Sequence, residues 1–231
     1  MKSLPLFLLI VAFSFTGCKI ADLSKPSLLS TTDSEARATT LLDETIRAQG
    51  FSVMATENVY AFTATDDWRG LLGKMVKLWP ENSTTLEFKH NFNTFDGTGR
   101  FMTGKRKGDK IGVQSWNYYE QVPAESSPKL IDTGEKLNPL EFGTVIYHYF
   151  IELPYRLRQA PIRRYYGQKE WKGITYDLVF VSWGEEAAHP EHDQYVLYIN
   201  PTTHLVDYSV YTIRDKTSPI HRHKNGSIAF Q

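Results

Sequence analysis

The sequence predicts an α+β chain in which a curved antiparallel sheet wraps one or two helices, and three observations carry that expectation. An amphipathic helix opens the body, short turns join a long series of alternating strand-like segments, and one apolar segment midway is too long for a strand. Short connections favour antiparallel neighbours, because a parallel crossover needs a dozen or more residues.

At the N-terminus, Lys2 precedes an apolar run from Leu4 to Phe15. The run suits an export signal and falls short of the ~20 residues of a spanning helix. It ends in Phe15-Thr16-Gly17-Cys18, which resembles the lipobox of bacterial lipoproteins. In a lipobox, small residues admit the peptidase and the cysteine thiol accepts a diacylglycerol. Residues 1–17 are then the signal peptide and Cys18 is the lipidated residue. The competing readings are an ordinary secretory signal and a buried N-terminal helix. Residues 18–32, rich in Ser and Thr with Pro26, read as a flexible tether, and 33–231 as one domain. Cys18 is the only cysteine, so that domain must hold together through its core, without disulfides.

Thr32 to Gln49 reads as a helix. Thr32-x-x-Glu35 matches a capping box, Ala38, Leu41, Leu42 and Ile46 share a face, and Gly50 is a stop. Strand language follows from Phe51 onward, clearest at Asn58–Ala64 and Thr84–Phe92. Asp96-Gly97-Thr98-Gly99 turns into Arg100–Thr103, and Lys107-Gly108-Asp109 turns into Lys110–Tyr118. Gln121 to Pro139, with three prolines, reads as a surface loop. Leu140 to Leu153 is apolar nearly all round and reads as a buried or half-buried helix ending before Pro154. Ile174–Trp183 is apolar on both faces and should be central. Gln194–Ile199 and Leu205–Ile213 flank Asn200-Pro201-Thr202-Thr203 as a hairpin.

Behind a lipobox, this order of elements resembles the half-barrel fold of the periplasmic lipoprotein carrier and its outer-membrane acceptor, the LolA/LolB-like group. The C-terminal run from Trp171 through Tyr176-Asp177 to Asp193-Gln-Tyr-Val-Leu-Tyr-Ile-Asn-Pro-Thr-Thr-His-Leu also resembles a group of uncharacterised bacterial lipoproteins. Asn200 and His204 stand where that pattern carries Asp and Gly, which bears on a turn more than on chemistry. The resemblance implies an incomplete β-barrel over 33–231 and an apolar ligand, an acyl chain or another lipoprotein's lipid, on the concave sheet. It also implies a lipid-anchored place in the bacterial cell envelope, with the outer membrane expected ahead of the inner.

The charges fit that picture and exclude others. With 26 basic and 26 acidic residues the chain has no net charge, which argues against a nucleic-acid partner. Signatures of Walker loops, nucleophile elbows, H-E-x-x-H and C-x-x-C are absent, so no enzyme and no cofactor are expected; a hydrolase is the minor alternative. Trp79, Phe88, Trp116, Tyr118, Tyr147, Tyr149 and Phe150 are candidate cavity-lining residues, against the reading that they are plain core. Arg163 and Arg164 are candidates for a basic rim on lipid phosphates, against the reading that they pair with local acids. His189, His192 and Asp193 have the donor atoms for a metal, against the reading of a polar loop. Partners are the membrane, through the anchor, and a lipid; a protein partner is left open. The alternative function is a structural or interaction lipoprotein with a filled core, working through loops such as Gln121–Pro139.

Overall fold

The structure is a computed structural model that describes residues 21–70, 73, 77–123, 127–132 and 138–214, with the backbone alone at 227–230. The signal, Cys18 and the basic stretch 221–224 lie outside the described residues. Among the described residues no helix is long and apolar enough to cross a membrane.

Helix α1 (Thr31–Ala48) starts at Ser30, whose Oγ accepts the Asp33 amide at 3.2 Å. The cap therefore sits two residues before the Thr32 expected from the sequence. Ser30-x-x-Asp33 offers the same hydroxyl and carboxylate chemistry, with Asp33 placed against the positive end of the helix dipole. Ala38, Leu41, Leu42 and Thr45 form its buried face. Beyond Gly50 the chain does not enter a strand: Phe51–Glu57 forms a second helix, α2. Only Phe51 of its seven residues is buried, stacked on Phe92 at 5.9 Å, so no periodicity announces it.

Strands β1 (Val59–Asp67), β2 (Ser83–Asn91), β3 (Gly97–Phe101), β4 (Lys110–Gln114), β5 (Asn117–Gln121) and β6 (Lys129–Leu130) then pair antiparallel in sequence order. The segment expected to run unbroken from Lys110 to Tyr118 is in fact a hairpin, reversed at Ser115 (φ 48°) and Trp116 (φ 62°). Two left-handed residues are what a two-residue hairpin turn needs, but Ser-Trp lacks the Asn-Gly signature that would reveal it. Asp96 holds the turn by accepting the Ser115 amide at 2.8 Å.

Helix α3 (Pro139–Ile151) is capped by Asn138, whose Oδ1 accepts from the Leu140 and Glu141 amides, with proline in the first turn. A short α4 (Leu153–Leu157) follows at once. Strands β7 (Ile162–Trp171), β8 (Ile174–Ser182), β9 (Gln194–Ile199), β10 (Val206–Thr212) and β11 (Ser227–Phe230) make a second antiparallel sheet in the order β11-β10-β9-β8-β7. Asn200 supports the β9–β10 hairpin by accepting the Thr202 and Thr203 amides, and His204 takes φ 58° where the related pattern has glycine.

The α+β expectation with open antiparallel sheets therefore holds, but the single curved sheet becomes two sheets, with no strand pairing between them among the described residues. The helical insertion α3–α4 between β6 and β7 breaks the run of hairpins that would have kept one sheet continuous. α3 covers the first sheet over Leu86, Phe88, Phe101, Ile111 and Val113. α1 and α4 cover Val179, Val181, Leu197 and Ile199 of the second. The opposite face of the second sheet carries Tyr176, Leu178, Phe180 and Tyr198.

The N-terminal segment also departs from expectation. Over residues 21–30 the presumed tether lies against the second sheet. Leu23 packs against the cluster of Tyr176, Leu178, Phe180, Val196 and Tyr198, its amide donates to Gln194 Oε1 at 2.8 Å, and Ser27 Oγ donates to the Tyr165 carbonyl at 3.0 Å. A Ser-rich composition reads as flexible, yet here its hydroxyls and amides find partners that lie more than a hundred residues away.

Candidate functional site

Phe142, Val145, Ile146, Tyr149 and Phe150 recur at steps of three and one along α3, so they share one face. That face stands over Tyr195 of β9 and Tyr211 and Thr212 of β10. Trp183, Asp193 and Ile213 complete the wall beyond the last paired residues. A groove of about 300 Å³ is left between them. It has the composition of a ligand site: mostly apolar walls with a few oriented polar groups.

Those polar groups are largely spent on the walls themselves. Trp183 Nε1 donates to the Tyr149 hydroxyl at 2.9 Å, and Asp193 Oδ1 accepts from Thr212 Oγ1 at 3.2 Å and from the Arg214 amide at 2.8 Å. Burial pushes the Tyr149, Tyr195 and Tyr211 hydroxyls above the ordinary tyrosine value. They therefore stay neutral at physiological pH, and these three hydroxyls add dipoles but no charge to the groove wall.

Of the aromatic residues singled out in the sequence, Tyr149 and Phe150 line this groove. Trp79, Phe88, Tyr118 and Tyr147 pack together on the first sheet, on the other side of α3. Trp116 sits at the β4–β5 turn, 70% exposed, with its ring 5.1 Å from Phe95. Arg163 and Arg164 lie away from the groove: both pair with Glu35 of α1, at 3.0 and 3.3 Å, and Arg164 also with Glu186. They fasten α1 to β7. Sequence reasoning missed Trp183, Tyr195, Tyr211 and Ile213. The available signal was the alternation of Tyr195, Leu197 and Ile199, which marks an inward face without showing what opposes it.

The His189 and His192 rings stack at 4.6 Å, while Asp193 is turned to Thr212 and Arg214. Among the described residues no group of three His, Cys, Asp or Glu side chains is arranged to hold a metal ion. A second cleft, about 410 Å³, lies between Asn93–Asp96, Ser115, Trp116 and Arg156. Its cation is already engaged: Arg156 donates to Glu152 and to the Phe92 and Thr94 carbonyls.

Beneath α3 lies a buried polar cluster that the sequence did not announce. His90 of β2 and His148 of α3 stack with ring centres 4.1 Å apart, both sealed from solvent. Tyr60 hydroxyl meets His90 Nδ1 at 3.2 Å. His148 Nε2 approaches Glu152 Oε1 to 3.0 Å, off the line that a hydrogen bond needs. Gly97 makes the room, since a Cβ there would stand 2.7 Å from the His90 ring. Burial, with His148 beside it, pushes His90 down to about 3. The unfolded chain takes up this proton below its ordinary value of 6.5 and the folded chain does not. Stability is thus intact above pH 6.5 and is lost as pH falls towards 3. Tyr60, His148, Glu152 and Arg156 face the same space. Urea unfolding at pH 7 and pH 5 should show a loss of about 2 kcal/mol from this one group. A His90→Leu variant should show a flatter profile, and an unchanged one would remove His90 as the cause.

No family model and no curated protein matches the chain. Solved structures similar to it include a LolA superfamily protein from Nitrosomonas europaea, 11% identical over 75% of this chain and 70% of that one, with a TM-score of 0.40. A DUF1329 family protein from Desulfovibrio piger is 12% identical over 78% and 75%, with a TM-score of 0.42. The lipoprotein LppX of Mycobacterium tuberculosis is 14% identical over 76% and 89%, with a TM-score of 0.27. At such identities the chemistry of this chain has to be read from its own residues.

Proposed function

We propose that this protein is a lipoprotein of the bacterial cell envelope that holds an acyl chain in the groove between α3 and the second sheet. Residues 1–17 direct export, Cys18 carries the lipid anchor, and the remainder forms one folded unit with a binding role and no catalytic step. The observation that carries the reading is the groove itself: a helix face of five apolar or aromatic side chains stands over a tyrosine-lined sheet without filling the space between. Transfer of hydrocarbon from water into such a space gains about 0.8 kcal/mol per buried methylene. A short stretch of chain is therefore enough for micromolar binding once ordering costs are met.

A soluble form starting after Cys18 should bind a fluorescent long-chain fatty acid saturably. Ile146 lines the groove, so Ile146→Trp should fill it and weaken binding by about tenfold or more, about 1.4 kcal/mol. Equal binding by both proteins would move the ligand elsewhere, and no binding by either would end the proposal.

A further inference from the structure

The groove and the N-terminal segment meet at the same end of the second sheet. β8 runs from the hairpin at Trp171–Ile174 to Ser182, which pairs with Gln194, and β10 ends beside them at Thr212. Trp183 and Ile213 come directly after Ser182 and Thr212 and Asp193 directly before Gln194, so the outer wall of the groove flanks this end of the sheet. The segment entering from the N-terminus is clipped to that same end. Gln194, fully buried, receives the Leu23 amide at 2.8 Å on Oε1 and donates from Nε2 to Asp22 Oδ1 at 3.1 Å and to the Glu186 carbonyl at 3.0 Å. Arg214 donates through its guanidinium to the Ala21 carbonyl and through its amide to Asp193 Oδ1. One short series of hydrogen bonds thus joins a groove wall to residue 21.

Only three steps of chain separate Ala21 from Cys18. Even fully extended they reach roughly 11 Å, at ~3.6 Å per residue. The Trp171 hairpin lies at the far end of the sheet, roughly 26 Å away along β8 at ~3.3 Å per residue. The lipid of Cys18 can therefore reach the groove end and cannot bring the opposite end to the membrane while the clip holds.

We infer that the anchor orients the protein: the Trp183–Ile213 end faces the bilayer surface, and the groove takes its acyl chain from that surface. The surface is a lipid one, because the occupant it must supply is apolar and because a diacylated cysteine within reach of the groove end cannot leave the membrane. The inference rests on the acyl-binding reading of the groove, but its geometry is tested separately.

The test uses the lipidated full-length protein in phosphatidylethanolamine–phosphatidylglycerol vesicles whose acyl chains are brominated, with tryptophan quenching as the readout. Trp183 is partly exposed at the groove and Trp171 is equally exposed at the far hairpin, so each reports its own end. Replacing Trp183 by Phe should remove most of the quenched fluorescence, and replacing Trp171 by Phe should leave it. A Gly/Ser spacer of about 20 residues after Lys19, spanning roughly 25 Å, should reduce Trp183 quenching without changing fatty-acid binding by the soluble form. Cys18→Ala should abolish quenching altogether. Quenching carried by Trp171, unaffected by the spacer, or persisting without Cys18 would overturn the orientation. Trp183 quenching in a protein that binds no fatty acid would leave the orientation standing and remove the acyl-chain reading.

Discussion

Replacing Glu152 by alanine should destabilise the protein by about 3–5 kcal/mol, because it strands a buried cation. Glu152 is fully buried at the junction of α3 and α4, where its Oε2 accepts from Arg156 Nε at 2.7 Å. Arg156 reaches from there to the Phe92 carbonyl at 3.0 Å and lies 4.4 Å over the Phe95 ring, so one guanidinium ties α4 to the loop after β2. Its side chain is 12% exposed and has little water to turn to once the carboxylate is gone. Glu152→Gln keeps an acceptor and a similar shape, and should cost clearly less than alanine. Urea titration of both variants measures the difference. A loss below about 1 kcal/mol for alanine would show that the pair is no better than a surface ion pair.

The second large effect is expected at Trp79. Its ring is 1% exposed and lies among Phe88, Phe101 and Tyr147, with centroids 5.9–6.4 Å away, and Nε1 donates to Asp66 Oδ2 at 2.5 Å. α3 sits directly on it: a Cβ at Gly143 would come within 2.6 Å of the indole. Trp79→Ala should cost about 3–5 kcal/mol through the cavity it leaves. Gly143→Val should cost about 1–3 kcal/mol through overpacking against the same ring. Both act on the seat of α3, whose other face forms the groove. Thermal unfolding checks the stabilities; a near-neutral Gly143→Val would mean that the helix lifts off without strain.

What the sequence made legible follows the range of the interactions. The hairpin at Asn200, a helix over most of Thr32–Gln49 and an interior position for β8 are written in local pattern, and the structure has all three, with the helix cap shifted to Ser30. The β4–β5 turn is hidden because Ser115 and Trp116 take left-handed conformations that their residue types rarely adopt. The site was half legible. Tyr149 and Phe150 could be named because α3 is apolar, but an all-round apolar helix does not say which face meets which sheet. Arg163 and Arg164 read as a rim because their partner, Glu35, stands more than 120 residues earlier in the chain.

That separation also bears on the order in which native contacts can form. The first sheet is a meander of neighbours and needs little loop closure, whereas α1 seats chiefly on β7, with α4 and β8 beside it, and Ala21 to Leu23 bond to Arg214 and Gln194. Closing such long loops delays those contacts. On the export reading proposed above, α1 would emerge early and wait for residues 153–182 before its seat on α4, β7 and β8 is complete. The segment after Cys18 is then among the last to be fixed, so the lipid attachment proposed there would act on a leading end that has not yet been drawn into the fold.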